Sequence, residues 1–267
     1  MTFSHTQISQ FLRCPKAYRY RYLEGWQDKG DRASLVFGRT FEKALAAYFE
    51  GKDSSVVLFE EWSLHKDADL EYGRGDSWDQ MLRQGIQLLE RLAQDNRIVV
   101  ADPKKDLQIK VLRSLSNGND FVSYIDGVGT LNGKHTLLEW KTTTARYPEE
   151  PEGLLALDPQ VICYSWMTGI PDVSIIAFVR KRISEIQYLK ATISEQQRQE
   201  FGELVQNTVS QIESGQFHSH PGIRFPSNGC VSCSQLGLCL DNPQLVEAKL
   251  IRRPGASDLD WINELQE

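Results

Sequence analysis

The spacing of apolar residues along the first third of the chain predicts helices. Ser4 and Gln7 have the separation of a helix-capping pair, and the apolar stripe that follows predicts a helix toward residue 22, with a break or restart at Pro15. Apolar residues three and four positions apart predict further helices over residues 36–49, 56–66 and 78–96. This part of the chain is therefore expected to be helical.

The middle of the chain predicts a β-sheet. Two apolar-rich segments flank Asn132-Gly133, and this dipeptide is the strongest short-range signal for a hairpin with a two-residue turn. Further strands are predicted over residues 98–115 (a pair, or one bent strand), 173–179 and 186–193, and helices from Pro159 and over 195–214. This order predicts an α/β (mixed α+β) fold, in which helices flank a central mixed β-sheet.

The predicted hairpin brings two acidic residues together. If Asn132-Gly133 forms the turn, counting outward along both strands sets Asp126 opposite Glu139, with Cβ atoms roughly 4.5–5.5 Å apart. Lys141 lies two residues past Glu139 and shares its face. Like charges that face each other across strands destabilise the pairing unless something lies between them. One interpretation is a divalent cation, and the other is a solvated acidic face.

Composition limits the possible classes of protein. The 267-residue chain has 30 basic and 36 acidic residues and a formal net charge of −6, which argues against a protein coated in nucleic acid but allows a local basic groove. No apolar run approaches the roughly 18 residues that a membrane crossing needs, and the N-terminus has no basic segment followed by an apolar one. We expect a cytoplasmic protein with no membrane partner.

The most basic segment lies near the N-terminus. Tyrosines alternate there with basic residues, a composition that suits a surface tracking phosphates and stacking on bases. The candidate DNA-binding residues are Arg13, Lys16, Arg19 and Arg21. The alternative is an amphipathic helix that buries its tyrosine rings beneath the arginine side chains.

Three of the five cysteines lie close together near the C-terminus, as Cys230-x2-Cys233-x5-Cys239. A Cys-x2-Cys turn presents two thiolates to one metal, and a third cysteine nearby supplies most of a site. On geometry alone, four thiolates suit either zinc or an iron–sulfur cluster.

The fourth ligand has several candidates. Cys14 is the best, because it lies next to Pro15 at the predicted helix break. Cys163 is interpreted as a small buried apolar residue on a helix. His218 and His220, close upstream of the cysteines, remain alternatives.

Polar residues also mark two of the predicted helices. Glu42 lies beside the apolar face of its helix, which is typical of a residue at the rim of a core but also allows it to point into a site. Gln160 and Tyr164 are four positions apart and so share one helix face. An ordinary buried polar contact is the alternative for this pair.

Together these residues resemble the PD-(D/E)XK nuclease superfamily. Asp126 with Glu139-Trp140-Lys141 resembles its Asp…(Asp/Glu)-x-Lys signature, and Gln160-x3-Tyr164 resembles the Gln-x3-Tyr motif of the RecB-like branch. The segment from Phe37 to Glu42 resembles the first motif of that branch, in which a histidine usually stands where this chain has Glu42. Other branches carry a glutamate on the corresponding helix.

The cysteines extend the resemblance to the iron–sulfur members of that branch. Cys14-Pro15-x2-Tyr18 and the C-terminal cysteines resemble those of the AddB C-terminal nuclease and the stand-alone CRISPR-adaptation nucleases. The resemblance spans roughly residues 2–240. It implies a 4Fe-4S cluster, with zinc as the alternative, that would join the two ends of the chain. The implied ligands are Cys14, Cys230, Cys233 and Cys239.

The resemblance also implies a restriction-endonuclease-like core that hydrolyses phosphodiester bonds in DNA with Mg²⁺ or Mn²⁺. The implied metal ligands are Glu42, Asp126, Glu139 and the backbone carbonyl of Trp140. The implied catalytic residues are Asp126, Glu139, Lys141, Gln160 and Tyr164. An extra carboxylate at position 42 favours hard cations.

We therefore expect a DNA exonuclease that acts on single strands or DNA ends, in DNA repair, recombination or CRISPR adaptation. The alternative is a catalytically inert DNA-binding or complex-assembly subunit with the same fold. A helicase or CRISPR-integration partner would be a separate chain, because no Gly-x4-Gly-Lys-Ser/Thr motif is present. A single nuclease domain is expected over 1–267, with a helical part (about 1–97), a core (98–215), a cysteine region (216–240, closed with Cys14) and a tail (241–267).

Overall fold

A computed structural model describes residues 1–151, 153–219 and 228–253. The helices are α1 (His5–Arg13), α2 (Pro15–Tyr18), α3 (Ala33–Phe49), α4 (Ser54–Ser63), α5 (Trp78–Ala93), α6 (Pro103–Asp106), α7 (Pro159–Thr168), α8 (Glu195–Glu213), α9 (Asn228–Val231), α10 (Leu236–Cys239) and α11 (Pro243–Lys249). A π-helical segment, Arg19–Leu23, follows α2, and a 3-10 helix, Leu154–Leu157, precedes α7.

The strands alternate with these helices along the chain. They are β1 (Thr2–Ser4), β2 (Trp26–Asp28), β3 (Asp31–Arg32), β4 (Leu70–Glu71), β5 (Ile98–Val99), β6 (Leu107–Ser114), β7 (Asp120–Leu131), β8 (Lys134–Thr143), β9 (Asp172–Val179), β10 (Glu185–Thr192) and β11 (Leu250–Arg252). The predicted helices and strands are present, and the break at Pro15 is confirmed. Four short elements between residues 228 and 252 were not predicted.

Contacts divide the chain into two compact units. One contains Met1–Gly30, Leu115–Asn119 and the described residues from Leu204 onward, and the other contains Asp31–Ser114 and Asp120–Glu203. The expectation of a single nuclease domain stays a prediction. Parts of its predicted cysteine region and tail, at 220–227 and 254–267, lie outside the described residues.

The larger unit is built on a mixed β-sheet. Its strands run in the order β7-β8-β9-β10, and β5 and β6 also pair with β7. The pairing of β8 with β9 is parallel, whereas β6–β7, β7–β8 and β9–β10 are antiparallel. A parallel pair needs a crossover, and α7 lies in the one between β8 and β9. The prediction of a central mixed sheet flanked by helices is confirmed.

The hairpin of β7 and β8 has the predicted register. Leu131 pairs with Lys134 and Gly127 with Leu138. The turn residues Asn132 and Gly133 have φ values of 53° and 77°, and a two-residue type I′ turn requires left-handed conformations at both. The turn therefore sets which residues of the two strands face each other.

Apolar residues cover both faces of this sheet. On one face, α3, α4 and α5 contribute Phe37, Phe41, Trp62 and Leu88 to a buried cluster that includes Phe178 of β9. On the other face, α7 packs with alternate residues of β9, in a cluster that includes Val161, Tyr164, Val173, Ile175 and Ala177. This alternation is expected for a strand that is buried on both sides.

The smaller unit has its own contacts. Strand β2 pairs with β11, and the rings of Phe11 and Tyr18 meet edge to face with centroids 5.6 Å apart. Tyr18 also stacks on Phe217 at 6.1 Å. Among the described helices, none combines the length and apolar character that a membrane crossing requires.

A charged cluster joins the end of α5 to strand β10. The carboxylate of Asp95 accepts hydrogen bonds from Arg97 Nε at 2.9 and 3.0 Å and from the Tyr188 hydroxyl at 2.7 Å. The Arg97 guanidinium lies 4.0 Å from the centroid of the Tyr188 ring. Hydrogen bonding from Arg97 lowers the pKa of Asp95 to about 2. Ionised Asp95 therefore stabilises the fold.

The Asp95→Asn substitution is expected to lower the free energy of unfolding at pH 7 by about 1 kcal/mol, since the contact lies near the surface. A carboxylate with a depressed pKa contributes stability above its unfolded pKa of about 3.9 and loses it as the pH falls toward the folded value. The difference between wild type and variant should therefore persist at pH 5–7 and shrink below pH 4. Urea unfolding at a series of pH values measures it, and a difference that grew on acidification would contradict this role.

Candidate active site

A cleft of about 370 Å³ opens in the larger unit beside α3 and the β7–β8 hairpin. It brings together residues from α3, β7, β8 and α7 that are far apart in sequence. The predicted site residues that line it are Glu42, Asp126, Glu139, Trp140, Lys141 and Gln160. Ser34, Gly38, Arg39 and Thr142 also line it.

The hairpin positions the two central acids at the point where its strands stop pairing. The ladder is regular as far as Gly127 and Leu138. One position beyond, Asp126 Oδ2 accepts a hydrogen bond from the backbone N–H of Trp140 at 2.8 Å. A side chain thus takes the place of a strand partner, and the Asp126 carboxylate is held next to the backbone between Glu139 and Lys141.

Glu139 is the most deeply buried of the acids, with only 2% of its surface exposed. Its Oε1 forms an ion pair with the Lys141 ammonium. Its Oε2 is buried and receives no hydrogen bond from any described residue. A buried anionic oxygen without a partner carries a desolvation penalty, so Oε2 is suited to a cation from outside the chain.

Lys141 connects Glu139 to the two polar residues of α7. Its Nζ donates a hydrogen bond to Gln160 Oε1 at 2.9 Å, and Gln160 Nε2 donates to the Tyr164 hydroxyl at 2.8 Å. Burial disfavours charge on Lys141, but the Glu139 carboxylate outweighs this and raises the pKa of the lysine. Lys141 is therefore cationic at neutral pH, with its ammonium group fixed by two neighbours.

The start of α7 places Gln160 in reach of Lys141. The Asp158 side chain caps the helix, accepting hydrogen bonds from the N–H groups of Gln160 at 2.8 Å and Val161 at 3.4 Å, and Pro159 occupies the first turn. One turn later Tyr164 is buried, and burial raises the pKa of its hydroxyl well above the ordinary value. Gln160 therefore positions Lys141 by a hydrogen bond, and Tyr164 in turn positions Gln160.

Glu42 approaches the cleft from α3. Its neighbour Phe41 is buried in the core, which fixes the rotation of the helix and directs Glu42 to the cleft. Its Oε1 accepts a hydrogen bond from Gln108 Nε2, on β6. Burial raises the pKa of Glu42, and the charge of Glu139 acts in the same direction.

The three acids crowd one another. Burial, and then the charges of Glu139 and Glu42, raise the pKa of Asp126 well above its usual range. Such crowding favours either a retained proton or a bound cation. Carboxylate oxygens are the ligands that hard divalent cations such as Mg²⁺ and Mn²⁺ prefer, so the donor set fits such an ion.

These acids are held by protein donors. Trp140 N–H, Gln108 and Lys141 each bind one of the three carboxylates. Within the described ranges, no three His, Cys, Asp or Glu side chains converge as a metal-binding group. Coordination by all three acids therefore requires side-chain rearrangement.

The predicted cysteine ligands lie in the smaller unit. Cys14 lies between α1 and α2. Cys230 lies in α9, Cys239 is the last residue of α10, and Cys233 lies in the connection between α9 and α10. Burial raises the pKa of Cys233, and the charges of Cys14 and Cys239 raise it further. Cys163 is fully buried, and burial raises its pKa to about 12. His220 lies outside the described residues.

The basic N-terminal segment is partly occupied by contacts of its own. Arg19 forms an ion pair with Glu24 at 2.8 Å, and the Lys16 ammonium lies 5.8 Å from the centroid of the Tyr20 ring. Tyr18 is buried, which matches the amphipathic-helix alternative at that position. DNA binding by Arg13, Lys16, Arg19 and Arg21 stays a prediction.

Sequence reasoning missed Gln108 and Arg39. Gln108 lies on a strand that was predicted only in outline, and nothing in the sequence indicates its contact with Glu42. Arg39 lies one turn before Glu42 on α3, and this spacing was a signal that could have marked it as a cleft residue.

A family model of the PD-(D/E)XK nuclease superfamily matches residues 2–240. Among solved structures, the chain is similar to a protein from Eubacterium rectale named "Putative exonuclease", with 14% identity and a TM-score of 0.48 over 79% of this chain and 80% of that one. It is also similar to SSO0001, with 15% identity and a TM-score of 0.41 over 90% and 86% of the two chains. A search of curated protein sequences gave no match.

Proposed function

The chain belongs to the PD-(D/E)XK nuclease superfamily, and we propose that it is a metal-dependent deoxyribonuclease that hydrolyses phosphodiester bonds of single-stranded DNA or DNA ends. The observation that carries this proposal is Glu139 Oε2, a buried oxygen in the cleft that receives no hydrogen bond from the described residues. A divalent cation bound there supplies the missing partner and offsets the mutual repulsion of Glu42, Asp126 and Glu139. The Trp140 carbonyl is the proposed fourth protein ligand.

The chemistry that such a cation supplies is polarisation of the scissile phosphate and activation of a water molecule. The protein contributes the rest. The acids would hold the cation in position, while Lys141 presents a fixed positive charge to the phosphate and orients the attacking water. Gln160 and Tyr164 keep the ammonium group of Lys141 in place.

Membership of the RecB-like branch is part of the proposal. In support, a hydrogen-bonded series runs from Lys141, which lines the cleft, through Gln160 to Tyr164, so both motif residues help to hold the lysine. An ordinary buried polar contact between Gln160 and Tyr164 does not account for the hydrogen bond between Lys141 and Gln160.

A nuclease assay with metal removal tests the proposed function. Purified protein with Mn²⁺ should degrade end-labelled linear single-stranded DNA, and EDTA should reduce cleavage to background. Circular single-stranded DNA tests the need for an end, and a 5′ label compared with a 3′ label reports polarity.

Glu139→Ala serves as the negative control in that assay. If wild type and Glu139→Ala give the same low signal on every substrate with either Mn²⁺ or Mg²⁺, the protein is an inert DNA-binding or assembly subunit. The presence of glutamate at position 42, where the resembling branch usually has histidine, favours this second candidate.

For the cysteines we propose a 4Fe-4S cluster held by Cys14, Cys230, Cys233 and Cys239. The support is that all four cysteines lie in the smaller unit and that three of them have the Cys-x2-Cys-x5-Cys spacing. Zinc is the rival for four thiolates.

Protein purified without oxygen should contain about four iron atoms per chain and absorb visible light. Cys14→Ser should lose the iron, whereas the matched Cys163→Ala should keep it, because Cys163 is buried in the other unit. A colourless protein that contains stoichiometric zinc would show that the four cysteines bind zinc and not a 4Fe-4S cluster. Full metal retention by Cys14→Ser would remove Cys14 from the ligand set.

A further inference from the structure

Gln108 lies on β6 between two residues that pair with the neighbours of Asp126. Its neighbours pair regularly with β7, Leu107 with Gly127 and Ile109 with Ile125. Gln108 itself has a φ of 53°, in the left-handed region, which is uncommon for a residue with a long side chain. Residues in such conformations concentrate at functional sites, where the surroundings hold them in place.

One side-chain contact accompanies this unusual backbone. Gln108 Nε2 donates a hydrogen bond to Glu42 Oε1, so the contact joins β6 to α3 across 66 positions of sequence. Successive side chains of a regular strand point to opposite faces, and a left-handed residue interrupts that alternation. The backbone of Gln108 therefore leaves regular strand geometry at the residue whose side chain binds Glu42.

The contact also holds one carboxylate oxygen of Glu42. Gln108 binds Oε1, and Glu42 lines the cleft together with Asp126 and Glu139. Glutamate has a flexible side chain, and the charges of Glu42 and Glu139 repel each other. A neutral amide donor opposes that repulsion without adding a charge.

We infer that Gln108 is a positioning residue that fixes the Glu42 carboxylate for cation binding. This inference rests on the proposed function. Groups that hydrogen-bond to metal ligands fix the ligands' orientation, and their loss typically lowers metal affinity about 10- to 100-fold. Gln108 does not touch the reacting atoms. Instead, Gln108 holds the flexible acidic side chain of Glu42 in place.

Two substitutions separate positioning from a purely structural role. Gln108→Gly removes the amide and also removes the backbone penalty, because glycine adopts left-handed conformations readily. Its melting temperature should stay equal or rise by a few degrees, while its Mn²⁺ affinity falls roughly tenfold. Gln108→Met retains the side-chain length without the donor, and should show the same fall in affinity.

The experiment is calorimetric titration of metal-free protein with Mn²⁺ alone, alongside thermal melting. The matched control is Gln196→Met, which removes an amide that donates to Glu200 at 2.8 Å on the exposed face of α8 and should leave Mn²⁺ affinity unchanged. Glu42→Ala sets the affinity expected when the ligand itself is lost.

The possible failures are distinguishable. If wild type binds Mn²⁺ and Glu42→Ala weakens it, but both Gln108 variants bind as wild type does, the positioning role is overturned and the proposed function stands. If wild type binds no Mn²⁺, the proposed metal site fails and the role of Gln108 fails with it. If Gln108→Gly does not fold, the affinity of Gln108→Met decides.

Discussion

Replacing Lys141 with methionine is expected to lower the rate constant of DNA hydrolysis by on the order of 10³-fold. Methionine keeps much of the volume of the side chain but removes the charge that is held between Glu139 and Gln160. The loss should appear in kcat more than in KM, because the charge acts on the phosphate as negative charge develops in the transition state. Single-turnover cleavage of labelled DNA with saturating Mn²⁺ measures it.

The matched control lies on the same strand. Lys134 is also paired with a carboxylate, that of Asp172 at 2.6 Å, but lies at the far end of β8 from the cleft. Lys134→Met should retain nearly full activity. Gln160→Leu should fall between the two variants, roughly 10- to 100-fold below wild type, because it removes only the support of Lys141. Equal activity of Lys141→Met and Lys134→Met would exclude the proposed role of Lys141.

Asp126→Asn is expected to raise stability and abolish activity together. The carboxyl of Asp126 is crowded by Glu139 and Glu42, whereas an asparagine side chain can still accept the Trp140 N–H bond through its carbonyl oxygen. Removing the crowding should stabilise the metal-free protein by about 1–3 kcal/mol, which is a rise in melting temperature of roughly 3–8 °C. Hydrolysis should fall at least 10³-fold, by loss of a proposed metal ligand.

Thermal melting with and without Mn²⁺ checks this prediction. Mn²⁺ should raise the melting temperature of wild type by mass action and leave that of Asp126→Asn almost unchanged. Asp172→Asn is the contrasting variant, because its carboxylate is stabilised by Lys134 and by the Thr192 hydroxyl at 2.7 Å. That variant should be slightly destabilised and fully active. A destabilised Asp126→Asn would mean that the carboxylate cluster is not under repulsion.

Sequence could predict those parts of the site that depend on local rules. The register of Asp126 and Glu139 follows from the turn chemistry of Asn132-Gly133, and the shared face of Gln160 and Tyr164 follows from helix geometry. The mixed sheet with helices on both faces followed from the order of predicted elements, whereas its strand order was not predicted. In the hairpin and in α7, the residues that determine the arrangement are close to one another in the sequence.

The remaining contacts of the site and of the N-terminal segment depend on tertiary packing. Gln108 reaches Glu42 only because β6 passes α3 with a left-handed residue at that point, and no residue type signals such a conformation in glutamine. The ion pair of Arg19 with Glu24 offsets part of the positive charge of the basic N-terminal segment, and charge counting does not reveal it. The contact of Gln160 with Lys141 likewise depends on where α7 packs against the sheet.

The two-residue turn at Asn132-Gly133 also limits how the chain can change in length. Surface turns generally tolerate inserted residues at little thermodynamic cost. Here Asp126 and Glu139 lie equally far from the turn along the two strands, so the turn sets their relative position. An insertion or deletion of one residue would slip the register and turn one acid to the opposite face of its strand. We therefore expect this exposed hairpin tip, several residue pairs from the cleft, to tolerate substitutions that preserve the left-handed backbone but not a change in the number of residues.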